Sequence, residues 1–82
     1  MLTIPEIQTM IETAFPKANV KILDPMNDGV HLGALIISDE FEGKNRIARH
    51  RMVYSALGDA FSGPLHALQI TTKTVAENAA SV

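Results

Sequence analysis

The stretch Val30-His31-Leu32-Gly33-Ala34-Leu35-Ile36-Ile37-Ser38 decides the fold. Its centre, Leu35-Ile36-Ile37, is apolar at consecutive positions. That pattern predicts a strand buried on both faces, at the centre of its sheet. Upstream, Val20-Lys21-Ile22-Leu23 reads as a second, shorter strand. Asp24-Pro25-Met26-Asn27-Asp28-Gly29 between them is a turn-forming loop. A connection this short predicts antiparallel pairing. Downstream, Asp39 to Gly43 reads as a loop anchored by Phe41 and Gly43, which are assigned structural roles. From Arg46 to Phe61 the pattern becomes helical, with Ile47, His50, Tyr54, Leu57 and Phe61 at spacings of three and four, widened by Val53 and Ala60. Gly58 interrupts the end of this helix, and Gly63-Pro64 leads into a third strand over Leu65 to Thr71. Strand, helix and strand in that order form a β-α-β unit, whose strands run parallel.

The ends complete the order. Thr3-Ile4-Pro5-Glu6 carries a capping box and an early proline. Ile4, Ile7, Ile11 and Ala14, with Phe15, form one apolar stripe, and Pro16 ends the helix near Phe15. Thr74-Val75-Ala76-Glu77 is a second capping box, opening a short terminal helix. The prediction is an α+β fold ordered α-β-β-α-β-α, with a three-stranded mixed sheet covered by helices on one face.

Composition narrows the function. The chain has 82 residues, room for one domain over 1–82. It is 46% hydrophobic and 20% charged, which is globular rather than disordered. Its longest apolar run, Ala34 to Ile37, is far too short to span a bilayer, and no signal peptide is expected, since no basic n-region with an apolar h-region is found. With no cysteine there is no disulfide, thiolate ligand or cysteine nucleophile, and a cytoplasmic location is expected. No P-loop, dinucleotide fingerprint or serine motif is present, so no enzyme is expected.

Two histidines stand out. Parallel pairing of the second and third strands puts their N-terminal ends at one end of the sheet. His31 lies near the start of one and His66 near the start of the other. Adjacent strands are about 4.8 Å apart, so the two imidazoles can face one site. Two histidines alone leave a structural zinc site short of ligands. His50, on the apolar helical stripe, reads as a structural histidine whose ring bonds backbone or a loop side chain. Lys44, Arg46, Arg49 and Arg51 place four of the seven positive charges within eight residues, without an acid.

Several of these features recur together. Asp28-Gly29-Val30-His31, Ser38-Asp39-Glu40-Phe41-Glu42-Gly43-Lys44, Arg49-His50-Arg51-Met52-Val53-Tyr54 with Leu57, and Leu65-His66-Ala67-Leu68 resemble the BolA family in order and spacing. The resemblance covers Val20 to Thr74. It implies a fold like a type II KH domain, here without the Gly-x-x-Gly loop. It also implies a monothiol glutaredoxin partner and a shared, glutathione-ligated [2Fe–2S] cluster. The histidine matching His66 is that family's usual cluster ligand. The second ligand comes from the loop between the first two strands, where His31 is the only imidazole. Family members often carry a tryptophan in the last helix. This chain has none, and Asn78 lies near that position.

The resulting expectation is a non-enzymatic adaptor of iron–sulfur metabolism, using His66 with His31. The cluster would not be held by this chain alone. Lys44, Arg46, Arg49 and Arg51 would form a partner or nucleic-acid surface, steering a glutaredoxin or glutathione carboxylates. The alternative is a DNA-binding transcriptional regulator using the basic helix 44–51. Against it stand a net charge of −2, the missing Gly-x-x-Gly and no aromatics between the basic residues. No self-association surface is legible, so a monomer or weak dimer is expected for the chain alone.

Overall fold

The computed structural model describes residues 3–29, 31–63 and 67–80. Helix α1 spans Ile4–Ala14, strand β1 Asn19–Leu23 and strand β2 Leu32–Ile37. A single 3-10 turn follows at Asp39–Phe41. Then come helices α2 (Arg46–Leu57) and α3 (Asp59–Ser62), strand β3 (Leu68–Lys73) and helix α4 (Val75–Ala80). The predicted order holds. Among the described residues, no helix is long and apolar enough to cross a membrane.

Local chemistry explains the helix ends. The Thr3 hydroxyl accepts from the Glu6 N–H at 3.3 Å, and the Glu6 carboxylate accepts from the Thr3 N–H at 3.1 Å. Ile7 and Ile11, four apart, are fully buried, and Phe15 closes the helix against the core while Ala14 faces outward. The Asn45 side chain caps α2 by accepting from the Ala48 N–H at 2.8 Å. Gly58, at φ 54°, separates α2 from α3. The second capping box also forms, with Thr74 and Glu77 exchanging hydrogen bonds at 2.8 and 3.1 Å.

The sheet order is β1-β2-β3, with β1 antiparallel and β3 parallel to β2. β2 is central, as predicted, but it is not buried on both faces. Leu32, Ala34 and Ile36 are buried, whereas Gly33, Leu35 and Ile37 are half-buried. Helices cover only the first face. On the other, the register sets Leu35 between Lys21 and Thr71, so flanking side chains rather than a second layer shelter it. The β3 boundary also differs. The strand runs to Lys73 because parallel pairing continues to Ile37, after which the Ser38 N–H donates to the Lys73 carbonyl at 2.9 Å. Val30, the expected start of β2, and Leu65, the expected start of β3, lie outside the described residues.

Helix α2 is rotated from the predicted stripe. Val53 and Leu57 are buried, and Met52, Ala56, Ala60 and Phe61 pack against the core. Ile47 is 65% and Tyr54 39% exposed. The two candidate faces differ little in apolar content, so periodicity alone could not choose between them. Arg49 follows the buried face, one turn before Val53.

Candidate functional site at the start of the central strand

His31 immediately precedes β2. Its position is set by the loop before it, in which two carboxylates bind the backbone. Asp24 accepts from the Asp28 N–H at 3.2 Å and from the Gly29 N–H at 3.0 Å. Left-handed backbone at Asn27 and Gly29 (φ 53° and 69°) lets the chain fold back far enough for this. Asp28 in turn accepts from the His31 N–H at 3.0 Å through Oδ1. Its Oδ2 lies 2.7 Å from His31 Nδ1.

The imidazole is therefore exposed but oriented. Its side chain is 58% accessible, and among the described residues no hydrogen bond engages Nε2. An ionised carboxylate can only accept, so this contact suits a neutral ring with its proton on Nδ1 and the lone pair on Nε2. A carboxylate on the distal nitrogen is a common arrangement behind metal-bound histidines. The ring thus fits a single ligand position. Among the described residues, no group of three or more His, Asp or Glu side chains could hold a metal ion.

Parallel pairing brings the starts of β2 and β3 to the same end of the sheet, with Leu32 opposite Leu68. His66 itself lies outside the described residues. A groove of about 560 Å³ runs from this end across the open sheet face, lined by His31, Leu23, Met26, Leu35, Gln69 and Lys73 among others. Gly33 forms part of its floor.

The four basic residues do not act as one patch. Lys44, Arg46 and Arg51 are exposed. Arg49 is not, its side chain being only 13% accessible. Its Nε donates to the carbonyls of Phe41 (3.1 Å) and Lys44 (2.8 Å), and its two terminal nitrogens grip the Glu77 carboxylate at 2.6 and 3.1 Å. Hydrogen bonds from Arg49, then from the Thr74 backbone, hold the Glu77 carboxyl down at about 2. Five residues apart on a helix, Arg46 and Arg51 diverge by about 140°.

The remaining structural assignments divide. Phe41 is fully buried, its ring 5.4 Å from that of Phe15, and Gly43 takes φ 74°. His50 is half-buried and meets the Tyr54 ring edge-on at 6.1 Å. Among the described residues its ring forms none of the expected hydrogen bonds. Burial, then the nearby Arg46 charge, push its pKa below the ordinary imidazole value.

Sequence reasoning missed the roles of Asp28 and Asp24. The signal was a pair of aspartates, Asp24 before a proline and Asp28 before a glycine, the second three residues before a histidine. It also missed the Arg49–Glu77 pair, whose partners meet only through the tertiary fold.

Comparison with known proteins is consistent across sequence and structure. Residues 8–77 match the family described as BolA-like protein. The UV-induced protein uvi31 of Schizosaccharomyces pombe is 52% identical over 48 residues, covering 58% of this chain and 47% of that protein. The DNA-binding transcriptional regulator BolA of Escherichia coli is 30% identical over 84 residues, covering 94% of this chain and 80% of that protein. The chain thus spans about half the length of the first relative and most of the second. A solved BolA homologue from Coxiella burnetii superposes with a TM-score of 0.80 at 35% identity, covering 96% of this chain and 99% of its own.

Proposed function

The chain belongs to the BolA-like protein family, and we propose that it is a non-enzymatic adaptor of iron–sulfur metabolism. In this reading it pairs with a monothiol glutaredoxin and lends His31 and His66 to a glutathione-dependent [2Fe–2S] cluster. The observation that supports it is the state of His31. The ring is exposed, Nδ1 is engaged by Asp28, and no described residue bonds Nε2, at the sheet end where β3 also begins. Imidazole ligation raises the reduction potential of such a cluster relative to all-thiolate ligation. Sulfur ligands would come from the partner and glutathione, because this chain has no cysteine.

The test is anaerobic co-purification with a monothiol glutaredoxin in the presence of glutathione. Ultraviolet–visible and electron paramagnetic resonance spectra are compared for wild type, His31→Ala and His66→Ala. Loss of the mixed-complex absorption in His66→Ala and its alteration in His31→Ala are expected. Spectra unchanged in both variants would sink the reading.

A second reading is favoured by one observation, the name of the E. coli relative as a DNA-binding transcriptional regulator. It would use Lys44, Arg46 and Arg51, since Arg49 is committed to Glu77. It predicts that Arg46→Ala and Arg51→Ala weaken DNA binding and flatten its salt dependence, while His66→Ala does not.

A further inference from the structure

We propose that Asp28 is a positioning residue that sets the tautomer of His31, so that Nε2 is the atom offered for ligation. This rests on the reading of His31 as a ligand. The two oxygens of Asp28 meet His31 at different atoms. Oδ1 accepts from the His31 backbone N–H at 3.0 Å, which is a loop-closing bond. The loop does not require the second contact, Oδ2 to Nδ1 at 2.7 Å. An exposed neutral imidazole in water carries its proton mostly on Nε2, the wrong arrangement for a ligand at that atom. An acceptor fixed at Nδ1 reverses the preference.

Asp28 is itself held in place. Its N–H donates to Asp24, whose other oxygen takes the Gly29 N–H. Asp24 fixes the turn, the turn fixes Asp28, and Asp28 fixes both the backbone and the ring of His31. An exposed side chain on a loop is thereby oriented without help from the core. Rotation of the ring about χ2 would sacrifice the 2.7 Å contact, so the face it presents is also set.

Asp28→Asn separates this role from loop support. The amide keeps one oxygen for the His31 N–H but replaces the other with NH₂, which is only a donor. Nδ1 can then pair only as an acceptor, and the ring proton moves to Nε2. The first measurement is ¹⁵N chemical shifts of the His31 ring in the isolated chain at about pH 8.5, above the usual imidazole titration. The Nδ1–H tautomer is expected in wild type and the Nε2–H tautomer in Asp28→Asn. Amide spectra report whether the loop stays folded, and Asp28→Ala serves as the variant without either oxygen. The second measurement is cluster retention in the mixed complex, expected to fall by about 10- to 100-fold in Asp28→Asn.

A wild-type ring already in the Nε2–H form overturns the proposal. So does a mixed complex of Asp28→Asn with wild-type spectrum and cluster retention when His31→Ala alters either, a result that leaves the adaptor reading standing. If His31→Ala itself leaves the mixed complex unchanged, His31 is not a ligand and the proposal falls with that part of the reading.

Discussion

Arg49 and Glu77, 28 positions apart, close a two-pronged ion pair between α2 and α4. The guanidinium reaches there after bonding the carbonyls of Phe41 and Lys44, and its carbon lies 5.9 Å from the centre of the Phe41 ring. One side chain therefore ties together the 3-10 turn, the residues leading into α2 and the last helix. Arg49→Ala is expected to lower the melting temperature by several degrees and to loosen α4 first. Arg49→Lys should recover little, because an ammonium cannot reproduce the fork. Thermal unfolding, with amide exchange at residues 75–80, checks both statements.

Glu77 gives this clasp an acid limit. Its pKa falls from 4.5 to about 2 on folding, through hydrogen bonds from Arg49 and then Thr74. A group depressed in the folded state contributes stability above its unfolded value and loses it as pH falls through its folded value. The contribution is thus complete above about pH 4.5 and vanishes towards pH 2. Half-exposure of the carboxylate means that salt screens part of it. Glu77→Gln should flatten the pH dependence of the melting temperature within that window and leave its slope above pH 5 unchanged, the wild type being the reference.

His50 is expected to titrate below the ordinary imidazole value, because burial and Arg46 both disfavour its charged form. A lowered folded value makes the protein lose stability as pH falls below 6.5, where the unfolded chain binds the proton first. Ring proton shifts followed by NMR give the midpoint directly. A midpoint above 6.5 would contradict the described packing. Arg46→Ala should move the midpoint upward.

Substitutions at a core position and at the outward face of α2 separate buried from exposed apolar residues. Phe41 is fully buried, and Phe41→Ala is expected to cost about 3–5 kcal/mol. Ile47 is 65% exposed, so Ile47→Ala should stay within about 0.5 kcal/mol of wild type. The predicted stripe would reverse that expectation for Ile47. Denaturant unfolding measures both.

That reversal marks where the sequence was legible. Capping boxes at Thr3 and Thr74, the Gly58 break and the parallel β2–β3 pair depend on local chemistry and short-range order, and all were readable. The rotation of α2 was not. Ile47 is as apolar as Met52 and Val53, and the choice is made by what α1 and the sheet present to the helix. Likewise Leu35-Ile36-Ile37 resembles a doubly covered strand, although only Ile36 faces the helices. Arg49 looked like one of four equivalent charges because nothing near it in the chain announces Glu77. The candidate site divides in the same way. His31 was visible as a residue type at a strand start, whereas its orientation depends on Asp28, whose second oxygen takes a partner that spacing alone does not reveal.

Two glycines with different reasons for being glycine provide the last test. Gly43 sits at φ 74°, between the 3-10 turn and the Asn45 cap. A Cβ there meets nothing within 4 Å, so the cost of Gly43→Ala is conformational rather than steric. Forcing alanine into the left-handed region is expected to cost about 1–2 kcal/mol. Gly33 lies in β2 with ordinary extended backbone, and a Cβ would meet the Leu23 Cβ at 3.8 Å, a normal contact. Gly33→Ala should therefore stabilise the protein by about 0.4–1 kcal/mol, because it restricts the unfolded chain without straining the folded one. Urea unfolding of the two variants separates the effects. Equal destabilisation by both would mean that the open sheet face is more tightly filled at Gly33 than its single neighbour indicates.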